Sequence, residues 1–294
     1  MTLFDIIGNT PLVKIERLNP NKNVTIYGKL EGQNPGGSVK DRAAFGMISG
    51  ALKRGEIKRG DKLVEATSGN TGIALAMIAQ SMGVHMTLIM PENATKERIQ
   101  AMKAYGARVV LTPAEKTIEY SREVADEMAE KEGYHILNQF ANPDNYGMHY
   151  RTTGPEIWRD TDGEITHFVS AMGTTGTIMG VSRYLKEKNE SIQIVGTQPK
   201  EGSSIPGIRR WSPAFLPKIF EADRVDRTLD VSEAEAADMA RKLAREEAIL
   251  SGMSSGGALK AALQVADEID QGVIVFIVCD TGERYLSSGL FDEG

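Results

Sequence analysis

Apolar positions along the chain fall into two alternating patterns, short β-branched runs and longer stretches with helical spacing. Val24 to Leu30 reads as a strand, and Ser38 to Gly55 as a helix with Ser38 at its N-cap. Leu63 to Thr67 predicts a strand, and Asn70 to Met82 a helix that stops before Gly83. Val84 to Met90 follows as a strand ended by Pro91, then a helix over Thr95 to Tyr105. Arg108 to Leu111 predicts a strand, Ala114 to Lys131 a long helix, and Tyr134 to Leu137 a further strand.

A second series begins after the turn Asn142-Pro143-Asp144. Strands are predicted over Thr166 to Ala171, Ile192 to Gln198 and Val273 to Cys279. Helices are predicted over Gly176 to Lys186, Ser232 to Glu247 and Ser254 to Glu268. Near-continuous apolar strands separated by helices are the pattern of parallel sheets covered on both faces. The expected fold is α/β, with two open, mainly parallel twisted sheets and a ligand crevice between them.

Composition narrows the function classes. At 294 residues the chain is long enough for two domains, and 41% hydrophobic with 25% charged residues is ordinary for a globular protein. A net charge of -6, with Lys and Arg scattered among acids, gives a nucleic-acid partner no electrostatic support. The single cysteine, Cys279, excludes an internal disulfide, and free Cys is most often packing. His85, His135, His149 and His167 lie too far apart for zinc-ligand spacing, so no metal is expected. The amino terminus lacks a secretory pattern, and no apolar run reaches the length of a membrane span. A cytoplasmic protein without membrane contact is expected.

Three glycine-rich turns stand at the carboxyl ends of predicted strands. Gly173, Thr174, Thr175, Gly176 and Thr177 join a strand to a helix. Free backbone N–H groups there, the helix dipole and the hydroxyls make a phosphate cradle, although a plain tight turn has the same shape. The segment lacks the Lys-Ser/Thr ending of a P-loop and the spacing of a dinucleotide fingerprint. In Pro35 to Arg42, Lys40 occupies the first turn of a helix, where the dipole disfavours its charge. Burial would lower its pKa further and leave a nucleophilic amine; the same lysine also fits a solvated helix start, beside an Asp41–Arg42 ion pair. Glu65 to Gly72 gathers Thr67, Ser68, Asn70 and Thr71 into a donor cluster suited to a carboxylate, or simply into an Asn70 N-cap. A phosphate cradle, an activatable lysine and a carboxylate loop together point to pyridoxal 5'-phosphate (PLP) acting on an amino acid.

These motifs, Pro-Gly-Gly-Ser-Val-Lys-Asp-Arg, Ala-Thr-Ser-Gly-Asn-Thr-Gly and Gly-Thr-Thr-Gly-Thr in that order, resemble the fold type II PLP enzymes. The chain is similar in particular to the O-acetylserine sulfhydrylases, or cysteine synthases. The likeness runs from Ile7-Gly-Asn-Thr-Pro-Leu-Val13 to Gly252-Met-Ser-Ser-Gly-Gly257 and Cys279-Asp-Thr-Gly-Glu-Arg-Tyr285. It implies that residues 35–144 form a smaller domain, and that 1–34 with 145–294 form a larger one.

By the same resemblance, Lys40 carries PLP covalently and later moves the substrate α-proton. Asn70 bonds the PLP 3'-oxygen, Gly173 to Thr177 hold its phosphate, and Ser254 faces the pyridine nitrogen. Thr67, Ser68, Thr71 and Gln139 bind the substrate carboxylate. A neutral serine at the ring nitrogen favours prompt elimination over a long-lived carbanion; as a bare sequence feature, Ser254 is also a helix N-cap.

The segment Ser203 to Trp211 resembles the B isoform, which takes thiosulfate as well as sulfide. Arg209 and Arg210 are the expected contacts of the larger donor, with Arg210 preferred for its nearness to Trp211. The implied partners are O-acetylserine and sulfide or thiosulfate, with a homodimer as the family expectation. Dehydratases of this fold usually carry Ser-Phe-Lys, whereas this chain has Ser38-Val39-Lys40. Cystathionine β-synthases share much of the lysine segment but often append regions for which this chain has no room. An idle PLP-binding protein would have no need of Lys40, Asn70 and Ser254 together.

Overall fold

Two separate sheets hold the strands in the computed structural model, which describes residues 1–292. In chain order the elements are β1 (Leu12–Ile15), β2 (Val24–Leu30), α1 (Lys40–Arg54), β3 (Lys62–Ala66), α2 (Asn70–Met82) and β4 (His85–Pro91). Next come α3 (Lys96–Ala104), β5 (Arg108–Thr112), α4 (Thr117–Glu132), α5 (Pro143–Arg151), α6 (Thr153–Asp160) and β6 (His167–Ala171). The chain closes with α7 (Gly176–Lys188), β7 (Gln193–Pro199), β8 (Arg227–Val231), α8 (Glu233–Glu247), α9 (Met253–Glu268) and β9 (Gly272–Val278).

One sheet has six strands in the order β1-β2-β9-β6-β7-β8, the other three in the order β3-β4-β5. Every pairing is parallel except β1 with β2, a hairpin at the sheet edge. β9 is central, with Ile274, Val275, Phe276 and Ile277 all buried. A strand apolar on both faces needs cover on both faces. Leu259, Ala262 and Ala266 of α9 pack with Ile274 and Phe276, while Ile178 and Val181 of α7 pack with Val275 and Ile277. Parallel pairing sends the loops after β6 and β9 out of one end of the large sheet. The loop after β3 faces them from the small sheet. Among the described residues no helix is long and apolar enough to cross a membrane.

The pattern of strands and helices holds, with four corrections. Tyr134 to Leu137 forms no strand; it meets β3 at a single bridge between Leu63 and His135, and Asn138 then turns away at φ 54°. Val39, not Ser38, occupies the N-cap of α1, although Ser38 Oγ still accepts the Lys40 N–H at 3.2 Å. The turn at Asn142 is in fact the start of α5. Asn142 caps it by accepting the Asp144 N–H, and Pro143 opens the first turn. β1, β8 and α6 also escaped the sequence pattern, being short and half-polar.

Candidate active site

Lys40 opens α1 directly after a tight turn in which Gly37 takes φ 80°. The turn is pinned to the end of β9, since the Val39 N–H donates to the Cys279 carbonyl at 2.8 Å and Ser38 bridges to Asp280. Burial holds the Lys40 ammonium below its usual range, with Cys279 and Asp280 pulling the other way. The amine is thereby brought toward its nucleophilic form.

The expected Asp41–Arg42 pair is absent. Asp41 accepts the Gly36 N–H, and burial pushes its carboxyl up to about 7. Arg42 is fully buried and points the other way, forking onto Glu31 at 2.7 Å and Glu156 at 2.7 Å. Lys29 completes a buried quartet through Glu156 at 2.7 Å. Two cations and two carboxylates cancel, so the interior carries paired charge, which fixes α1 against β2 and α6.

The cradle expected at residues 173–177 is built at the start of α7. Thr175 caps the helix in the left-handed conformation at φ 72°, a strained choice for a β-branched residue. Its Oγ1 is buried with no hydrogen-bond partner among the described residues. An unsatisfied hydroxyl beside free helix N–H groups fits an anionic ligand. Thr177 Oγ1 lies 3.3 Å from His149 Nε2, and His149 Nδ1 lies 2.8 Å from Thr153 Oγ1. Burial pushes His149 down to about 3, so the ring is neutral. Gly176 also serves packing: a Cβ there would sit 2.0 Å from Asn145 Oδ1. At Gly180 it would sit 2.2 Å from the Tyr146 carbonyl. These glycines let α5 and α7 pack tightly.

The third turn faces the other two. Asn70 is not the N-cap of α2, a position held by Gly69. Its side chain instead donates to Asp280 Oδ2 at 2.8 Å and accepts from Arg284 Nη1 at 2.7 Å. Thr71 Oγ1 donates to Gln139 Oε1 at 3.0 Å. Ser254 is likewise no cap, because Gly252 precedes it as the N-cap of α9. The Cys279 thiol beside it donates to the Ile277 carbonyl at 3.7 Å, and burial pushes it up to about 11 and so keeps it protonated.

A cleft of about 380 Å³ unites the three turns. Lys40, Thr67, Ser68, Asn70, Thr71 and Gln139 line one part of it, and Gly173, Thr174, Thr177, Arg209 and Ser254 another. Thr175 and Gly176 lie off its wall. Arg210 does too, contrary to the preference for it: its Nη1 is taken by Asp230 at 2.8 Å and by the Pro199 carbonyl at 3.2 Å. Arg209 reaches both the cleft and a neighbouring cavity of about 1000 Å³. Sequence reasoning missed Asp280 and Arg284, whose only signal was their place in the Cys279 to Tyr285 motif.

The family model of pyridoxal-phosphate-dependent enzymes matches residues 3–280. The chain belongs to this family. PLP is therefore its cofactor, and the half-buried Lys40 amine with Gly173, Thr174 and Thr177 on the cleft wall at the start of α7 fit that group. Among curated relatives the chain is 57% identical over 291 residues to cysteine synthase B of Pseudomonas aeruginosa, covering 99% of this chain and 97% of the relative. It is 56% identical to cysteine synthase B of Escherichia coli, covering 99% and 96%. Among solved structures, a cysteine synthase from Entamoeba histolytica superposes with a TM-score of 0.94 at 38% identity, covering 100% and 91%. An O-ureido-L-serine synthase gives 0.94 at 37% identity, covering 99% and 95%.

Proposed function

We propose that the chain makes L-cysteine from O-acetyl-L-serine and sulfide, and accepts thiosulfate as a second donor to give S-sulfocysteine. The observation that carries this is the half-buried Lys40 amine opening onto a cleft between an anion cradle and a carboxylate-sized donor cluster. The fold alone leaves the nucleophile open, since a 37% identical O-ureido-L-serine synthase shares it. Identity of 57% to a cysteine synthase B supports sulfur.

Lys40 and residues 173–177 would hold PLP, with Asn70 toward the 3'-oxygen and Ser254 toward the pyridine nitrogen. When bound, PLP serves as the electron sink that acidifies the substrate α-proton and lets a β-substituent leave. Thr67, Ser68, Thr71 and Gln139 orient the amino acid by its carboxylate. The Lys40 amine takes the α-proton as general base and returns it after acetate has left and sulfur has bonded to the β-carbon. Ser254, a neutral hydroxyl on the cleft wall, places no counter-charge at the ring nitrogen. The working form we propose is a cytoplasmic homodimer, with residues 35–144 as the smaller domain of each chain.

The test is chemical. Purified protein is expected to be yellow, and borohydride to fix PLP to Lys40. Lys40→Ala is expected to retain PLP through the cradle yet lose turnover. O-acetylserine with sulfide should yield cysteine. A colourless protein that takes up no PLP, or one that only releases pyruvate from L-serine, overturns the proposal.

A further inference from the structure

The cleft and the neighbouring cavity meet at a neck. Their walls share Ala66, Arg122, Phe140, Pro206, Gly207 and Arg209. Only two of these side chains are charged, and both are arginines. Arg122 stands on α4, which packs on the small sheet through Ala125 and Met128. Arg209 stands on a segment docked beside the large sheet, its backbone N–H donating to the Met172 carbonyl at 2.9 Å. Nothing in the chemistry proposed above uses Arg122.

An aromatic pair carries both guanidiniums. The Phe140 and Trp211 rings meet edge to face with their centres 5.6 Å apart. Arg122 lies 5.3 Å from the Phe140 ring centre, and Arg209 lies 5.4 Å from that of Trp211. A guanidinium resting on a ring keeps its N–H donors available in its own plane. Among the described residues neither guanidinium donates a hydrogen bond, and the carboxylate paired with Arg122 is Glu119, 3.9 Å from its Nη1. Glu119 already accepts the Thr117 hydroxyl at 2.5 Å, and it lines the outer cavity rather than the neck. Partial burial, and after it the Arg122 charge, hold the Arg209 guanidinium below its ordinary range, so the one charge is felt at the other.

Two like charges facing one opening repel, and an anion between them removes that repulsion. The gain grows with the charge of the anion and with oxygens that accept from both forks. A dianion with several oxygens meets both conditions, whereas hydrosulfide is singly charged and has no oxygen. We propose that Arg122 is a specificity-determining residue: with Arg209 it makes the neck a two-guanidinium site for a small dianionic oxyanion, as thiosulfate is. This rests on the thiosulfate activity proposed above. A packing role for Arg122 against Phe140 would instead slow every donor alike.

The experiment uses the PLP-loaded enzyme and Arg122→Gln, which keeps the first part of the stem and loses the charge. The measured quantity is kcat/KM for thiosulfate and for sulfide at saturating O-acetylserine. The thiosulfate value is expected to fall about tenfold, the scale of one charge-assisted hydrogen bond, and the sulfide value by no more than about threefold. Sulfate, a dianion of similar shape without a nucleophilic sulfur, is the binding probe. Calorimetry should show it bound to the native enzyme and about tenfold more weakly to Arg122→Gln.

An unchanged thiosulfate value in Arg122→Gln, or equal losses with both donors, overturns the inference. If Arg209→Ala is then still selectively slow with thiosulfate, the thiosulfate activity stands without Arg122. A native enzyme idle with thiosulfate removes that activity instead. Sulfate then decides the neck alone: weaker binding to Arg122→Gln keeps the dianion site, and absent or unchanged binding overturns it. Should Arg122→Gln fail to fold, Arg122→Met keeps an apolar stem against Phe140 and is judged by the same two measurements.

Discussion

Asn70 Nδ2 donates to Asp280 Oδ2 across 2.8 Å, tying the first residue of α2 to the loop that leaves β9. Asp280 also accepts the Tyr285 hydroxyl through Oδ2 and the Gly252 N–H, just before Ser254, through Oδ1. One buried carboxyl therefore anchors the Asn70 side chain and the backbone at the start of the helix that carries Ser254, the two residues proposed to flank the PLP ring. Asp280→Asn turns one acceptor into a donor facing donors. The expected result is a loss of about 1–3 kcal/mol in stability together with weaker PLP binding. Thermal unfolding and PLP titration check it, and full PLP affinity at reduced stability would confine Asp280 to the scaffold.

The buried quartet predicts an acid limit to stability. Burial alone would raise the Glu156 carboxyl, but Arg42 and Lys29 bring it down from 4.5 to about 2. A carboxyl lowered on folding adds stability that is full above its unfolded value and fades as pH falls toward the folded one. The melting temperature should accordingly fall as pH drops from about 4.5 toward 2. Arg42→Met leaves Glu31 and Glu156 without their shared cation, and should cost about 3–5 kcal/mol by denaturant unfolding near neutral pH. A loss below about 1 kcal/mol would mean the pair is easily repacked.

Gly176 and Gly180 separate packing from ligand approach. Gly180→Ala forces a Cβ toward the Tyr146 carbonyl, which as backbone cannot swing away. It should destabilise by about 1–3 kcal/mol. Gly176→Val meets the Asn145 side chain, which also holds Thr174 Oγ1 at 3.1 Å. That variant should lose stability and PLP affinity together, whereas Gly180→Ala should lose mainly stability. Paired melting and PLP titration of the two variants decide the point.

What could be read in advance followed from chain periodicity and from local motifs. The apolar run Val273 to Cys279 announced a central strand because no single face of it was polar. The three glycine turns were legible because each packs its chemistry into about eight residues. Asp280 was not, since its partners Asn70 and Gly252 are remote in sequence and a lone acid after a strand has no local mark. Lys29 shows the same limit. It lies inside a strand, and only its remote partners, Glu156 and Asp160 with the Thr10 carbonyl, explain a buried lysine there. Asn142-Pro143 was within reach, because a capping side chain followed by proline at the first helical position is a helix start as well as a turn.

The paired arginines supply the last test, and the structure reverses the order expected of them. Arg210 is committed to Asp230 and the Pro199 carbonyl and lines the neighbouring cavity but not the cleft. Arg209 borders the cleft, with its guanidinium 5.4 Å from the Trp211 ring centre. Trp211 is itself fixed, its Nε1 donating to the Gly173 carbonyl at 2.8 Å, so the arginine is carried on a segment docked to the cradle. Thiosulfate is a divalent anion with several acceptor oxygens, whereas sulfide is small, so a guanidinium at the mouth matters more for thiosulfate. Arg209 is largely exposed, which places the loss near the lower end of about 1.5–3 kcal/mol for a charge-assisted bond. Arg209→Ala should therefore slow the thiosulfate reaction by about tenfold and the sulfide reaction by less than about twofold. Arg210→Ala should affect both donors alike, through its hold on Asp230. Initial rates with each donor at saturating O-acetylserine make the comparison. Equal losses with both donors in Arg209→Ala would make that segment a scaffold and remove the residue-level support for thiosulfate.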